Sequence, residues 1–139
     1  MNVTDSDPSH WKYISEGGAT IVFSYIGPYH VNLSGLVLRL RKTGAGNTDD
    51  DDPSITFQYR CMERLIPSMH LPRLESVVVS RPWLEALSAT HNHERPQSRR
   101  EQASIDFSRT KAVLATDLVS GDTVSVEIKV ISSSYPRFR

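Results

Sequence analysis

WKYISEGGATIV, residues 11–22, decides how the rest of the chain is read. Trp11 to Ser15 has the composition of a short strand, Glu16-Gly17-Gly18 is a turn signal, and Ala19 to Ile26 is rich in β-branched and aromatic residues. Two strands joined by so short a connection predict an antiparallel hairpin. A glycine pair also lets backbone N–H groups approach a phosphate, since no side chain stands in the way. An ordinary hairpin turn carries the same pattern. No G-x-x-x-x-G-K-[ST] occurs, which excludes a Walker A loop.

Next outward is LVLRLRK, residues 36–42, where Leu36, Leu38 and Leu40 share one strand face and Val37, Arg39 and Arg41 the other. Arg39 lies mid-strand, where a purely structural strand prefers Thr or Val. Beneath a glycine-rich hairpin such an arginine suits nucleotide phosphates; a solvent-facing strand with two surface arginines suits the pattern equally. The following TGAGNTDDDDP reads as a solvated loop, and Asp49–Asp52 as part of it rather than as a Mg²⁺ cage. Ser54 is placed to cap a helix over about residues 55–66, with Ile55, Tyr59, Met62, Leu65 and Ile66 on one face. Val77 to Val79 reads as a brief strand. Ser80 and Pro82 open a short helix carrying Trp83, Leu84 and Leu87. Residues 89–104 are polar and basic without a period. Arg95, Arg99 and Arg100 cluster there, either to hold a polyanion or to solubilise a loop, and His91 and His93 are too sparse for a metal site.

Lys111 to Leu118 predicts a strand ending in Thr116-Asp117, either a hinge that meets an adenine through its backbone or a turn. A second hairpin is expected across Ser120–Asp122, then a last strand over 123–131. In that strand Glu127 and Lys129 sit at i and i+2 on one face, about 7 Å apart. Val124, Val126, Ile128 and Val130 take the other face. The charged pair suits ribose hydroxyls and a phosphate, or a cross-strand salt bridge. Strands at both ends with one or two helices between give an α+β class: an antiparallel sheet of about five strands.

Size and composition narrow the functions. At 139 residues and 38% apolar content the chain has material for one modest core. Its 16 basic and 16 acidic residues balance, so no global field argues for nucleic acid or an anionic membrane. Cys61 stands alone, no apolar run approaches a membrane span, and MNVTDSDPSH resembles no signal peptide. The expectation is an intracellular chain with residues 1–10 as a disordered arm.

In order, W-K-Y-I-S-E-G-G-A-T-I-V, V-L-R-L-R-K, E-R-P and V-E-I-K resemble the N-terminal part of the inositol-pentakisphosphate 2-kinase family, from about Trp11 to Lys129. That family uses ATP to phosphorylate inositol 1,3,4,5,6-pentakisphosphate at position 2, giving inositol hexakisphosphate. The resemblance implies a kinase-like N-terminal lobe over 11–131. It places Gly17, Gly18, Ala19 and Thr20 over the ATP phosphates, Arg39 on them, and Thr116, Asp117 and Leu118 near adenine. Glu127 and Lys129 would touch nucleotide and inositide, and Arg95 the inositide. It implies ATP and Mg²⁺, with the metal's ligands outside this chain, and inositol pentakisphosphate as a partner. A monomer in nucleus or cytoplasm is expected, with neither nucleic acid nor membrane as partner. The family pattern continues E-I-K-P-K and into a second lobe, whereas here Val130-Ile131 and a tail, 132–139, follow. On that basis a lobe inactive by itself is expected. A non-catalytic polyanion-binding module and a small interaction domain with merely superficial charges are the alternatives.

Overall fold

A computed structural model describes residues 2–46, 51–120 and 124–126. Five strands form one antiparallel sheet: β1 (Trp11–Glu16), β2 (Thr20–Tyr25), β3 (Leu36–Arg41), β4 (Leu74–Val78) and β5 (Lys111–Thr116), in the order β1-β2-β3-β5-β4. The predicted hairpin over the glycine pair forms, as does the alternation of β3, with Leu36, Leu38 and Leu40 buried. On that face lie Ile21, Phe23, Leu114 and Val77, covered by Trp83, Leu84 and Leu87 of helix α3 (Arg81–His91). Trp11 meets Trp83 edge-on at 6.2 Å, a geometry aromatic quadrupoles favour. The class is α+β, as expected.

Three expectations are corrected. Residues 2–10 are no disordered arm: they form 3-10 turns at Val3–Asp5 and Pro8–His10, and Val3 is wholly buried. Two buried indoles provide the reason. Trp11 Nε1–H donates to Ser6 Oγ (2.9 Å) and Trp83 Nε1–H to the Ser6 carbonyl (2.8 Å), so the segment satisfies donors the core would otherwise strand.

The helix expected over 55–66 is present as one continuous helical run but differs inside, passing from α1 (Pro53–Phe57) through a π turn (Gln58–Met62) to α2 (Glu63–Leu65). Its cap is Asp52 rather than Ser54: Asp52 Oδ1 accepts from Ser54 N at 2.8 Å. One extra residue in the turn rotates the downstream side chains by about 100°. Gln58, the first residue of the π turn, is buried and donates to the Pro72 carbonyl (3.0 Å), while Tyr59 and Leu65 of the predicted face are exposed.

Finally, β5 bonds to β3 on one side and β4 on the other, so neither edge remains for the hairpin expected across Ser120–Asp122. Val124–Val126 lie outside the sheet, with Val124 94% and Val126 81% exposed. The rest of the expected last strand, Glu127 and Lys129 included, lies outside the described residues. Helix α4 (Gln97–Gln102) occupies part of the segment without a period. Among the described residues no helix is long and apolar enough to cross a membrane.

Candidate functional site

The sheet's second face is set by the residues alternating with the buried leucines. Ser15, Val22, Arg39, Val113 and Ser76 stand opposite one another across β1, β2, β3, β5 and β4. Arg39 therefore occupies the middle strand at mid-length, half-buried between two valines. It forms no hydrogen bond or ion pair with any described residue, unlike its neighbour Arg41, which meets Asp52 at 3.4 Å. Among the described residues Arg39, Arg41, Arg109 and Lys111 line one depression with Asp51 and Asp52. Lys111 pairs with Asp51 at 2.7 Å. The described part of the acidic run thus pairs with these cations, Asp51 while still exposed and Asp52 half-buried. Burial alone would raise the Asp52 carboxyl; the Ser54 hydroxyl and amide, then Arg41 and Arg39, hold it below its ordinary value.

At the hairpin end, Gly17 N–H donates to the Thr20 carbonyl (2.9 Å) and Ala19 accepts from Lys42 N–H (2.9 Å). Neither Gly17 nor Gly18 has a positive φ, and a Cβ built on either would meet nothing within 4 Å. Neither backbone conformation nor internal crowding requires glycine here. Gly27 is the contrast: its Cβ would lie 2.6 Å from the Tyr25 hydroxyl and 2.7 Å from His10, so packing forbids a side chain.

Arg95, which the resemblance assigns to the inositide, is buried. Its guanidinium is 3% exposed and engages Glu16 through two bonds of 2.9 Å, Nε to Oε1 and Nη2 to Oε2. It also donates to Asn92 Oδ1 and to the carbonyls of Arg99 and Ala103. Lys42, 2% exposed, pairs with the same carboxylate and donates to the Gly17 carbonyl at 2.7 Å. Burial pushes Glu16 up, but the Arg95 and Lys42 hydrogen bonds outweigh it and hold the carboxyl below its usual value. The arginine is therefore part of a closed interior cluster, linked to α4 through the Arg99 carbonyl.

Near the end of β5, Thr116 is tied to Arg73, whose N–H donates to Thr116 Oγ1 (2.8 Å). The Asp117 carboxylate accepts from Ser24 Oγ (2.6 Å), Val119 N (3.0 Å) and Ser120 N (2.8 Å). Burial raises that carboxyl and these bonds lower it further, leaving it below the ordinary range. Its side chain closes the turn over residues 117–120. Leu118 is exposed. Lys12, Ile14, Ser24, Gly35, Asp117 and Ser120 line a concavity on the same face as Arg39, at the opposite end from the acidic segment.

The sequence profile of inositol-pentakisphosphate 2-kinases matches residues 13–130. The chain belongs to that family. Two relatives bearing the name inositol-pentakisphosphate 2-kinase, from two strains of Cryptococcus neoformans var. neoformans serotype D, are each 32% identical over 138 residues. The alignment covers 90% of this chain and 33% of each relative, so the chain spans about a third of the curated relatives it matches. Every residue singled out by the inositol-pentakisphosphate 2-kinase resemblance falls inside the matched range, Glu127 and Lys129 included, though those two lie outside the described structure. Among the described residues no group of three or more His, Cys, Asp or Glu side chains is placed to hold a metal ion.

Glu16 and Lys42 were not singled out by sequence. Lys42 had a signal: it continues the period of Leu36, Leu38 and Leu40 and so points to the leucine face. Glu16 had none, because a register shift between Tyr13 and Ser15 reverses the facing of the residues after it.

Proposed function

We propose that this chain is the nucleotide-covering lobe of an inositol-pentakisphosphate 2-kinase, kinase-like in form, binding ATP on the sheet face that carries Arg39. The observation that carries the reading is Arg39 itself: a half-buried cation in the centre of the sheet that makes no hydrogen bond or ion pair with any described residue and feels Asp52 only at longer range. A cation so placed costs desolvation unless an anion completes it. Nucleotide phosphates would lie between Arg39 and the β1–β2 turn, where Gly17 and Gly18 leave room for close approach without any need inside the fold. Adenine would lie toward the backbone of 116–118, and Ala19 and Thr20 would border the phosphates. Glu127 and Lys129 would add contacts to nucleotide and inositide. Mg²⁺ would be carried in part by the phosphates themselves. In-line transfer to the inositol hydroxyl requires chiefly positioning and charge neutralisation, and this lobe would contribute both to the donor side. A monomer in cytoplasm or nucleus is part of the same reading.

The test is calorimetric titration of the full chain with ATP. Arg39→Ala is expected to weaken binding at least about tenfold, the worth of one charge-assisted contact, with little change in thermal stability. ATP affinity unchanged by Arg39→Ala would overturn the reading. Binding of inositol hexakisphosphate without any binding of ATP would favour the polyanion module instead.

A further inference from the structure

Glu16 immediately precedes the glycine pair, and the register shift in β1 aims its side chain to the core face, opposite Ile21. There it meets Lys42 and Arg95. Lys42 grips the turn twice: its ammonium holds the Gly17 carbonyl, and its backbone N–H holds the Ala19 carbonyl. Gly18 is thus bracketed by two bonds to a single residue. Arg95 carries the connection outward, since it joins the Glu16 carboxylate to the carbonyls of Arg99 and Ala103 on either side of α4's end. The next residues pair with the end of β3, through Thr43 N–H to the Ser104 carbonyl and the Lys42–Ile105 bridge. Three side chains, none more than 3% exposed, therefore lock the turn to two separate parts of the fold.

The charges do not balance. Two buried cations share one carboxylate, whose only other side-chain partner among the described residues is the Tyr13 hydroxyl at 3.4 Å. A carboxylate held below its usual pKa stays ionised, which leaves one positive charge uncompensated beneath the glycine turn. At interior dielectric that charge is screened far less than a surface lysine would be. We infer that Glu16, Lys42 and Arg95 are positioning residues that hold the glycine turn in shape, and that their surplus positive charge favours a phosphate-bearing ligand over it. The charge half rests on the nucleotide reading above; the positioning half does not.

Amide exchange in the unliganded full chain tests the first half. Lys42→Met and Arg95→Lys are expected to speed exchange at the Gly17 amide about tenfold while Leu38 and Leu114 keep wild-type protection. No change at the turn, or equal acceleration across all five strands, would overturn it. So would an Arg95→Lys chain that keeps turn protection but loses binding of inositol hexakisphosphate, since Arg95 would then be a ligand contact. For the second half, Lys42→Met should weaken ATP about fivefold and adenosine less than about twofold, with Lys42→Arg restoring the ATP preference. Equal losses for ATP and adenosine would refute the charge effect. A wild-type chain that binds no ATP would remove the nucleotide reading and the charge half together, while the exchange result still decides the positioning half.

Discussion

Arg95 and Arg39 exchange the parts that composition alone assigns them. Arg95 stands in a basic, loop-like stretch and is buried; Arg39 stands in a strand and makes no hydrogen bond or ion pair among the described residues. What separates them is whether a carboxylate reaches the guanidinium, and Glu16 reaches only Arg95. The asymmetry of the cluster predicts unequal costs. Glu16→Gln strands two buried cations and is expected to cost about 3–5 kcal/mol, a large part of a typical domain's stability of about 5–15 kcal/mol. Lys42→Met instead leaves the bidentate Glu16–Arg95 pair intact and should cost clearly less. Urea unfolding of the two variants checks the order; equal midpoints would mean the cluster is held by geometry rather than charge.

Among the elements, α1 shows how little intrinsic support a helix needs when its start is well made. It has a single turn before the π turn takes over, and Phe57 remains exposed. Its start is held by Asp52, which caps Ser54 and also meets Arg41 on the sheet. Asp52→Ala is expected to cost about 1 kcal/mol and Asp52→Asn only part of that, since the amide keeps the cap and loses the ion pair. Thermal melts of both separate the cap from the charge. The strands were more legible than this helix, because period-two alternation survives in β3 residue by residue. The π turn begins at Gln58, whose side chain reaches the Pro72 carbonyl fourteen residues away, and no local pattern announces it.

For the molecule as a whole, partly buried carboxylates govern stability toward acid. Glu16, Asp52, Asp106 and Asp117 all have folded-state pKa values below their ordinary ones: burial raises each, and hydrogen bonds and cations outweigh it. A depressed carboxyl contributes its stability in full above the unfolded value, about 4, and loses it as pH falls through the folded value. Stability is therefore expected to be flat from about pH 7 to 5 and to fall steeply below about pH 4. Tyr13 acts oppositely. Burial first, then Glu16, raises its phenol, so its contribution is present below about pH 10 and lost above it. Unfolding midpoints across this range would check both limbs, and an acid limb unaltered in Glu16→Gln would remove that residue from the account.

The sequence by itself determined the hairpin over the glycine pair, the leucine face of β3, the α+β class and membership of the family, because each is written in local periodicity or in contiguous motif. It also marked Arg39, whose oddity is local: a charge where a strand prefers a β-branched residue. Only the tertiary structure decided that residues 2–10 belong to the core, that β5 is an interior strand with both edges taken, and that Arg95 closes on Glu16. These depend on contacts between residues as distant as Ser6 and Trp83, or Glu16 and Arg95, where a single carbonyl or carboxylate satisfies a donor that burial has cut off from water.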